Sequence, residues 1–170
     1  CNPAIGGLSK GNLVREVDAL GGEMALLIDQ TTIQYRLLNR SRGPAVQAPR
    51  AQADKSAYAA AARAAVERQP NLRVFMDTVT GLLASADGAR AEGVITERGH
   101  RIGARAVVVA AGTFLEGRIF IGEHRAAAGR LGEPAALTLR DWLRAAGVRF
   151  GRMKTGTPAR IKASSVDLDL

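Results

Sequence analysis

Apolar residues recur at helical spacing in the first and last of four segments that we predict to be helices. The first ends at Gly21 and Gly22, which suit the left-handed backbone that closes many helices. The clearest of the four begins at Asp54, a favoured N-cap residue, and has an alanine-rich interior. Thr138 is a candidate cap for the last. The predicted helices span residues 7–20, 23–30, 54–69 and 137–147.

Runs rich in β-branched, aromatic and apolar residues predict short strands between these helices. Those between residues 72 and 102 are separated by glycine-containing turns and form a predicted antiparallel meander. The run 106–110 is apolar throughout, which is typical of a strand buried on both faces of a sheet. Segments 39–54 and 124–134 lack a periodic pattern and are predicted to be loops. The predicted strands span residues 32–38, 72–76, 79–84, 91–96, 101–102, 106–110, 117–122 and 148–153.

The first seven residues combine the chain's single cysteine, Cys1, with a glycine pair, Gly6 and Gly7, that opens a predicted helix. Glycines let a backbone approach a ligand closely, and the start of a helix favours anions and thiolates. This pattern indicates a cofactor or nucleophile site. A lone cysteine is also often a small buried hydrophobic residue, and a glycine pair is often only a turn, so both interpretations stand at this point.

The chain is strongly basic, with 24 Lys and Arg against 16 Asp and Glu and a net charge of +8. That balance favours a polyanionic partner, although an arginine- and alanine-rich composition can also follow from genomic base composition. One basic segment has no acidic residue between Asp29 and Asp54 and contains Arg40, Arg42 and Arg50, and it is either a binding loop or a solvated face. A second basic zone without acids runs over residues 144–162. Arginine can hold a phosphate with two hydrogen bonds.

Composition excludes several other classes of protein. One cysteine cannot form an internal disulfide bond, and with two histidines it offers no ligand set for a structural metal site. No apolar run approaches the roughly 20 residues that span a bilayer, and no signal-peptide pattern precedes the first helix. We therefore expect no metal and no membrane insertion, and a reducing cytoplasmic location.

Eight blocks in one order cover much of the chain: residues 1–7, 11–22, 33–36, 38–41, 43–46, 50–54, 112–115 and 154–158. Together they resemble the GidA/MnmG family, whose members are FAD-dependent enzymes that modify the wobble uridine of tRNA. The family's first strand and its Gly-x-Gly-x-x-Gly turn would lie upstream of Cys1, so the resemblance implies an internal fragment. Two positions depart from the family pattern: Ala136 stands where a serine often occurs, and Ala159 replaces a proline.

The resemblance implies an α/β fold: part of a glutathione-reductase-like FAD-binding Rossmann domain with an antiparallel β-meander, lacking the N-terminal βαβ unit. It places the partial FAD-binding domain over residues 1–122 and a continuation towards an inserted substrate or NADH domain over residues 123–170. Small residues after the apolar run would let the backbone approach the cofactor, although many buried strands end in small residues without a ligand. The expected cofactor-binding residues are Asn2, Gly6, Gly7, Val79, Ala111, Gly112 and Thr113.

For function, the resemblance implies addition of a 5-aminomethyl or carboxymethylaminomethyl group to uridine 34 of tRNA. NADH and methylenetetrahydrofolate would be co-substrates, an MnmE-type GTPase the partner, and the full-length protein a homodimer. Cys1 is the candidate catalytic residue. Alternatives are folate- and FAD-dependent methylation of uridine 54 of tRNA and a non-catalytic RNA-binding fragment. The expected tRNA-binding residues are Arg40, Arg42, Arg50, Lys154 and Arg160.

Overall fold

A computed structural model describes residues 3–157, 159 and 161–167 of the chain. Cys1, Asn2 and Arg160, three of the predicted site residues, lie outside the described residues. The chain forms two compact units, Cys1–Val74 and Phe75–Leu170, called unit 1 and unit 2 below. The predicted division at residue 122 remains a prediction. The two units together mix helices with antiparallel sheets, as the predicted α/β class requires.

Unit 1 combines three helices with three strands in its described part. The first two helices and strand β2 begin and end within three residues of their predicted bounds. Gly21 ends the first helix with a positive φ of 83°, as predicted. The elements in chain order are β1 Ala4–Gly6, α1 Lys10–Ala19, α2 Glu23–Thr31, β2 Thr32–Leu38, β3 Ala48–Ala53 and α3 Lys55–Arg68.

Asp54 caps helix α3 as the sequence predicts. Its carboxylate accepts hydrogen bonds from the backbone N–H groups of Ser56 and Ala57, both at 2.9 Å. These are two of the donors that a helix start leaves without an intrahelical acceptor. The cap explains why the helix begins at Lys55, immediately after the last residue of strand β3 and its cap.

Strand β3 corrects the prediction that residues 39–54 are a loop throughout. It is the central strand of a three-stranded sheet with the order β1-β3-β2, and both pairings are antiparallel. Its sequence, Ala-Pro-Arg-Ala-Gln-Ala, has little intrinsic preference for a strand. Hydrogen bonding to a neighbour on each side therefore determines its conformation. The preceding segment does stay irregular, apart from a 3-10 turn over Pro44–Val46.

The core of unit 1 is small and lies on one face of this sheet. Ile28 of α2 packs with Ala51 and Ala53 of β3, each at most 5% exposed. Ile5 and Tyr58 cover the edges of this cluster. Because side chains alternate along a strand, Arg50 and Gln52 point to the other face. Around β3, one face thus carries the packed apolar cluster, and the other carries Arg50 and Gln52 together with the buried Ala48.

Unit 2 is built from antiparallel strands and one helix in its described part. Strands β4, β5 and β6 pair in chain order, which confirms the predicted meander. Its first predicted strand, residues 72–76, does not form. A second sheet has the order β7-β8-β9. The elements are β4 Val79–Ala84, β5 Ala91–Thr96, β6 Arg101–Gly103, β7 Arg118–Ile121, β8 His124–Arg130, β9 Glu133–Pro134 and α4 Leu139–Ala145.

The second sheet corrects the prediction of a loop over residues 124–134. Strand β8 pairs with β7 through a tight turn at Gly122, whose φ is +55°. The sequence of β8 shows no strand pattern, because Ala126, Ala127 and Ala128 have low strand preference. Pairing with strand β7 stabilises β8, although the sequence of β8 alone does not favour a strand.

Two further predicted strands are absent from the structure. Residues 106–110 have an extended apolar sequence but pair with no strand in the described part of the chain, and Val108 is 90% exposed. Residues 148–153 are likewise irregular. A strand needs a neighbour to receive its backbone N–H and C=O groups, and apolar sequence alone cannot provide one.

Candidate functional site

A cavity of about 530 Å³ lies in unit 2. Strand β4, the apolar run 107–111 and the residues around β9 form its walls, and helix α4 contributes the buried Leu139. Ligand pockets in proteins usually measure between roughly 300 and 1,000 Å³ and are mostly apolar, with a few polar groups. This cavity has that size and that character, so unit 2 contains a candidate binding site.

Two of the predicted cofactor-binding residues meet at this cavity. Val79, the first residue of β4, and Ala111, at the end of the apolar run, both line it. Gly112 and Thr113 follow in a 3-10 turn, Gly112 with a φ of +57°. The Thr113 hydroxyl donates to the Gly129 carbonyl at 3.1 Å, so this side chain joins the turn to strand β8.

Ala136, the position that departs from the family pattern, also lies in the cavity wall. Its backbone N–H donates to Phe114 at 2.8 Å, and its carbonyl accepts from the N–H of Glu116 at 2.9 Å. These bonds set the distance between the two sides of the wall. Glu116 itself has a φ of +47° and forms an ion pair with Arg140 of α4, which anchors the helix beside the same wall.

Asp77 is a wall residue that the sequence analysis missed. Its side chain is 4% exposed and forms an ion pair with Arg98 at 3.0 Å. Burial raises the pKa of this carboxyl. Hydrogen bonds from Thr96, from the backbone of Thr78 and from Arg98 lower the pKa by more than burial raises it, so the pKa lies below its usual value. The carboxylate is therefore charged at neutral pH. Asp77 lies two residues before strand β4, and Arg98 lies in the turn between β5 and β6. This combination is the sequence signal that could have revealed the ion pair.

A second carboxylate in the wall, Glu133, also has an arginine partner. Arg130 binds it at 2.8 Å, and the same guanidinium lies 5.5 Å from the ring centre of Phe114. The wall thus presents two carboxylates whose charges are balanced by arginines. Carboxylates accept hydrogen bonds from sugar hydroxyls and amino groups, and the surrounding apolar side chains suit a flat aromatic ring.

These features fit the adenosine part of FAD better than its phosphates. The apolar walls and small alanines leave room for a ring, and Asp77 and Glu133 would meet donors on the ribose or the base. Among the described wall residues, none carries a positive charge that would hold a pyrophosphate. Any phosphate contact therefore needs residues outside this cavity.

In unit 1, the predicted Gly6 and Gly7 lie against strand β3. Gly6 has a φ of +105°, and a Cβ atom there would stand 2.3 Å from the Pro49 carbonyl oxygen. Gly7 has a φ of +93°, and its N–H donates to that oxygen at 2.8 Å. Only glycine fits this close approach of the two backbones. The pair thus has a packing reason here, and its contact with a cofactor remains a prediction.

Two predicted tRNA-binding arginines, Arg40 and Arg42, lie exposed on the loop after β2. Amide side chains shape this loop: Asn39 donates to the Val46 carbonyl at 2.8 Å, and Gln47 donates to the Arg42 carbonyl at 3.0 Å. Arg50 lies instead on strand β3, half-buried on the face of the sheet that also carries Gln52.

The second basic zone begins in the last turn of α4 and is mostly exposed and irregular over its described residues after Gly147. Lys154 lies there without a hydrogen-bonded partner among them. Arg152 of the same zone does have a partner, since its guanidinium donates to the Glu116 carbonyl at 3.1 Å.

The described part of the chain shows no metal site and no helix that could cross a membrane. No cluster of three or more His, Cys, Asp or Glu side chains there could hold a metal ion. No helix there combines the length and the apolar character that crossing a membrane requires.

Comparison with known proteins identifies one family. The family model described as "Glucose inhibited division protein A" matches residues 1–170, the whole chain. A protein of Borreliella burgdorferi named "tRNA uridine 5-carboxymethylaminomethyl modification enzyme MnmG" is 58% identical over 98% of this chain. A protein of Treponema pallidum with the same name is 56% identical over 100% of the chain.

Solved structures give the same result. Aquifex aeolicus GidA matches 85% of this chain with a TM-score of 0.75 and 48% identity. The GidA-related protein from Thermus thermophilus matches 71% of the chain with a TM-score of 0.55 and 30% identity. The chain spans only 27% of the Borreliella protein and 24% of the Aquifex chain.

Proposed function

Because the chain belongs to the GidA/MnmG family, we propose that the protein containing it modifies uridine 34 of tRNA, adding a 5-aminomethyl or carboxymethylaminomethyl group. The observation that carries this proposal is 58% identity, over nearly the whole chain, to a relative named for carboxymethylaminomethyl modification of tRNA uridine. The cavity of unit 2 is in line with this proposal, since its size and lining fit part of the FAD that the family is expected to use.

The fold proposed for the complete protein is a glutathione-reductase-like FAD-binding Rossmann domain, of which this chain is a part. The meander β4–β6 and the apolar run after it support that proposal, because such domains continue from a meander into a buried strand. In the complete protein, residues 106–110 would then pair with other strands of the sheet. The proposed domain reaches residue 122, and residues 123–170 lead towards a substrate or NADH domain.

FAD supplies the redox chemistry of this class of enzyme when it is bound. The chain's own residues would orient it: Val79 with its backbone at the edge of the adenine, and Ala111 and Gly112 by allowing close approach. Asn2, Gly6, Gly7 and Thr113 are the other proposed contacts. The apolar wall excludes water from the ring.

The tRNA would lie against the basic segments of the chain. Arg40, Arg42 and Arg50 in unit 1, and Lys154 and Arg160 in the second basic zone, are the proposed phosphate contacts. The exposure of Arg40, Arg42 and Lys154 supports this role, because each side chain can reach a phosphate without first breaking an ion pair within the described structure. NADH and methylenetetrahydrofolate are the proposed co-substrates, with an MnmE-type GTPase as partner, a homodimer as assembly and the cytoplasm as location.

Cys1 is the proposed nucleophile. Its thiolate would add to C6 of the uracil ring, and the ring electrons would move to C5, which then attacks an electrophilic one-carbon unit carried by methylenetetrahydrofolate. Loss of the C5 proton and departure of tetrahydrofolate would leave an exocyclic methylene group at C5. A primary amine would add to that methylene, and departure of the thiolate from C6 would then restore the ring. The competing interpretation is a packing role, in which Cys1→Ala leaves turnover intact when flavin content and melting temperature are matched.

The experiment uses the complete protein with Ala136→Leu, which fills the cavity, and Ala145→Leu as the control on an exposed site of helix α4. We expect the first variant to lose most of its bound flavin and its tRNA modification, and the second to keep both. Stoichiometric flavin in Ala136→Leu would contradict the assignment of the cavity. Mass spectrometry of the modified nucleoside then tests the reaction, because methylation of uridine 54 would identify the alternative activity.

A further inference from the structure

The face of the unit 1 sheet that carries Arg50 contains an unusual pair of arginines. In the register of the sheet, Arg36 of β2 stands directly opposite Arg50 of β3, and Gly6 of β1 stands on the other side of Arg50. The next row on the same face pairs Gln34 with Gln52. Two arginines and two amides are therefore neighbours on one surface of the molecule.

Like charges directly opposite each other destabilise an antiparallel pair, since their Cβ atoms are only about 4.5–5.5 Å apart. The described structure does not offset this repulsion with an opposite charge: neither Arg36 nor Arg50 has an ion pair or a side-chain hydrogen bond with a described residue. The sequence offers no nearby acid either, because none occurs between Asp29 and Asp54. The two arginines therefore form a site of positive charge that has no acidic partner in the described structure.

The position of the pair also keeps it available to a ligand. The buried cluster of Ile28, Ala51 and Ala53 occupies the opposite face, so neither arginine belongs to it. On the face of the arginines, Ala48 is buried. Arg36 is exposed and Arg50 half-buried. Gly6 completes the row without a side chain that could cover either guanidinium.

We propose that Arg36 and Arg50 together bind one phosphate group, with the amides of Gln34 and Gln52 as additional donors. Each guanidinium presents paired N–H groups that match phosphate oxygens, and two of them converging on one anion convert their mutual repulsion into attraction. A phosphate can come from the backbone of an RNA or from a dinucleotide. The source of the phosphate, though not the site, rests on the proposed function.

The first test measures the affinity of the 170-residue chain for inorganic pyrophosphate by calorimetry, for Arg36→Gln, Arg50→Gln and the control Arg73→Gln. Arg73 is an exposed arginine of the same unit, outside the sheet. We expect each sheet variant to lose at least about tenfold in affinity, which is the loss of one charge-assisted contact, and the control to lose none. Equal affinity in all three proteins would overturn the inference.

Thermal unfolding separates binding from a structural role. Without pyrophosphate, Arg36→Gln should melt at or above the temperature of the unchanged chain, because a like-charge contact is removed. With saturating pyrophosphate, the unchanged chain should gain melting temperature and the variant should gain clearly less, since it binds the anion more weakly. A variant that melts lower without the anion, and gains as much with it as the unchanged chain, would identify the arginines as structural and contradict the proposal.

Competition identifies the source of the phosphate. Displacement of pyrophosphate by unmodified tRNA, but not by ADP, assigns the site to an RNA phosphate, and the reverse assigns it to a dinucleotide. If neither tRNA nor ADP displaces pyrophosphate, the inference is contradicted, because a site that binds a nucleotide phosphate must bind one of these two competitors.

If the complete protein leaves uridine 34 unmodified while pyrophosphate binding still needs both arginines, the proposed function fails and this inference stands.

Discussion

Units 1 and 2 contain similar kinds of residues but stabilise them differently. In unit 1, a helix and a sheet face bury a common cluster around Ile28 and Ala51, and the central strand β3 pairs with a neighbour on each side. In unit 2, strands pair mainly with their sequence neighbours, while the apolar run 106–110 has no strand partner in the described structure. Both units leave apolar side chains exposed, such as Ile33 in unit 1 and Val108 in unit 2, and in unit 2 the unpaired run lines a cavity.

This difference between the units shows what a helical sequence and a strand sequence each need in order to form their element. A helix satisfies its backbone groups within itself, so α1 and α3 form where their sequences predict them. A strand depends on a neighbour, and the strongest apolar run of unit 2 remains irregular although its sequence is ideal for a buried strand. The following predictions test this contrast, from the largest expected effect to the smallest.

The largest effect is expected at Gly93, in the middle of the meander of unit 2. Its φ is +155°, and a Cβ atom there would stand 2.1 Å from the Ile102 carbonyl oxygen of the neighbouring strand. Gly93→Ala should therefore separate β5 from β6 and lower the free energy of unfolding by about 3 kcal/mol or more. Urea unfolding, followed by the fluorescence of Trp142, measures it.

The matched control is Gly103→Ala, which changes the residue opposite Gly93 on strand β6. Its added Cβ atom would lie 3.9 Å from the nearest atom, an ordinary contact. We expect this variant to be as stable as the unchanged chain or slightly more stable. Equal losses in both variants would mean that the strand itself, and not the close approach at Gly93, is sensitive.

A smaller effect is expected at the cap of helix α3 in unit 1. Asp54→Ala removes the acceptor for two backbone N–H groups and should lower the free energy of unfolding by about 1 kcal/mol, with loss of helical circular dichroism. Asp54→Asn keeps an acceptor and should lose much less. If both variants lose the same amount, the charge of Asp54 matters and its hydrogen bonds do not.

Acid should destabilise unit 2 through Asp77. Because the pKa of this carboxyl is lower in the folded chain than its ordinary value of 3.8, its stabilisation is complete above that value and is lost as the pH falls through the folded pKa. We expect the melting temperature to fall below about pH 4, and Asp77→Asn to remove part of that dependence while lowering stability at neutral pH.

The control for this pH dependence is Asp18→Asn, an exposed position of helix α1 with no side-chain partner in the described structure. It should leave the acid dependence of Trp142 fluorescence unchanged. An acid transition that is identical in all three proteins would show that the Asp77–Arg98 pair does not contribute to it.

The smallest effect is expected at Val108, which is 90% exposed. In this chain, Val108→Thr should change the free energy of unfolding by less than about 0.5 kcal/mol. Val94→Thr, on a paired strand in the cavity wall, should cost more than that, because it places a hydroxyl among apolar side chains. In the complete protein the proposed strand would bury Val108 as well, and its substitution should then cost as much as that of Val94.

The candidate site was only partly accessible to sequence reasoning. Val79 and Ala111, predicted as cofactor contacts, do line one cavity. Asp77 and Arg36 were missed because each depends on a partner distant in sequence: Arg98 across a turn for the first and Arg50 across the sheet for the second. A periodic pattern within one segment carries no information about the register between two segments.

Local chemistry was sufficient where an element is complete in itself. The glycines after α1, the capping Asp54 and the apolar positions of the helices each act within one or two turns of backbone, and they determine those elements from the sequence. Strand β3 and the hairpin β7–β8 form from alanine-rich segments of low strand preference, because neighbouring strands provide their hydrogen bonds. The run 106–110 shows the converse, since its ideal strand sequence stays irregular without a neighbour. Strand formation, register and the opposition of two arginines are properties of paired segments, and only their packing in three dimensions decides them.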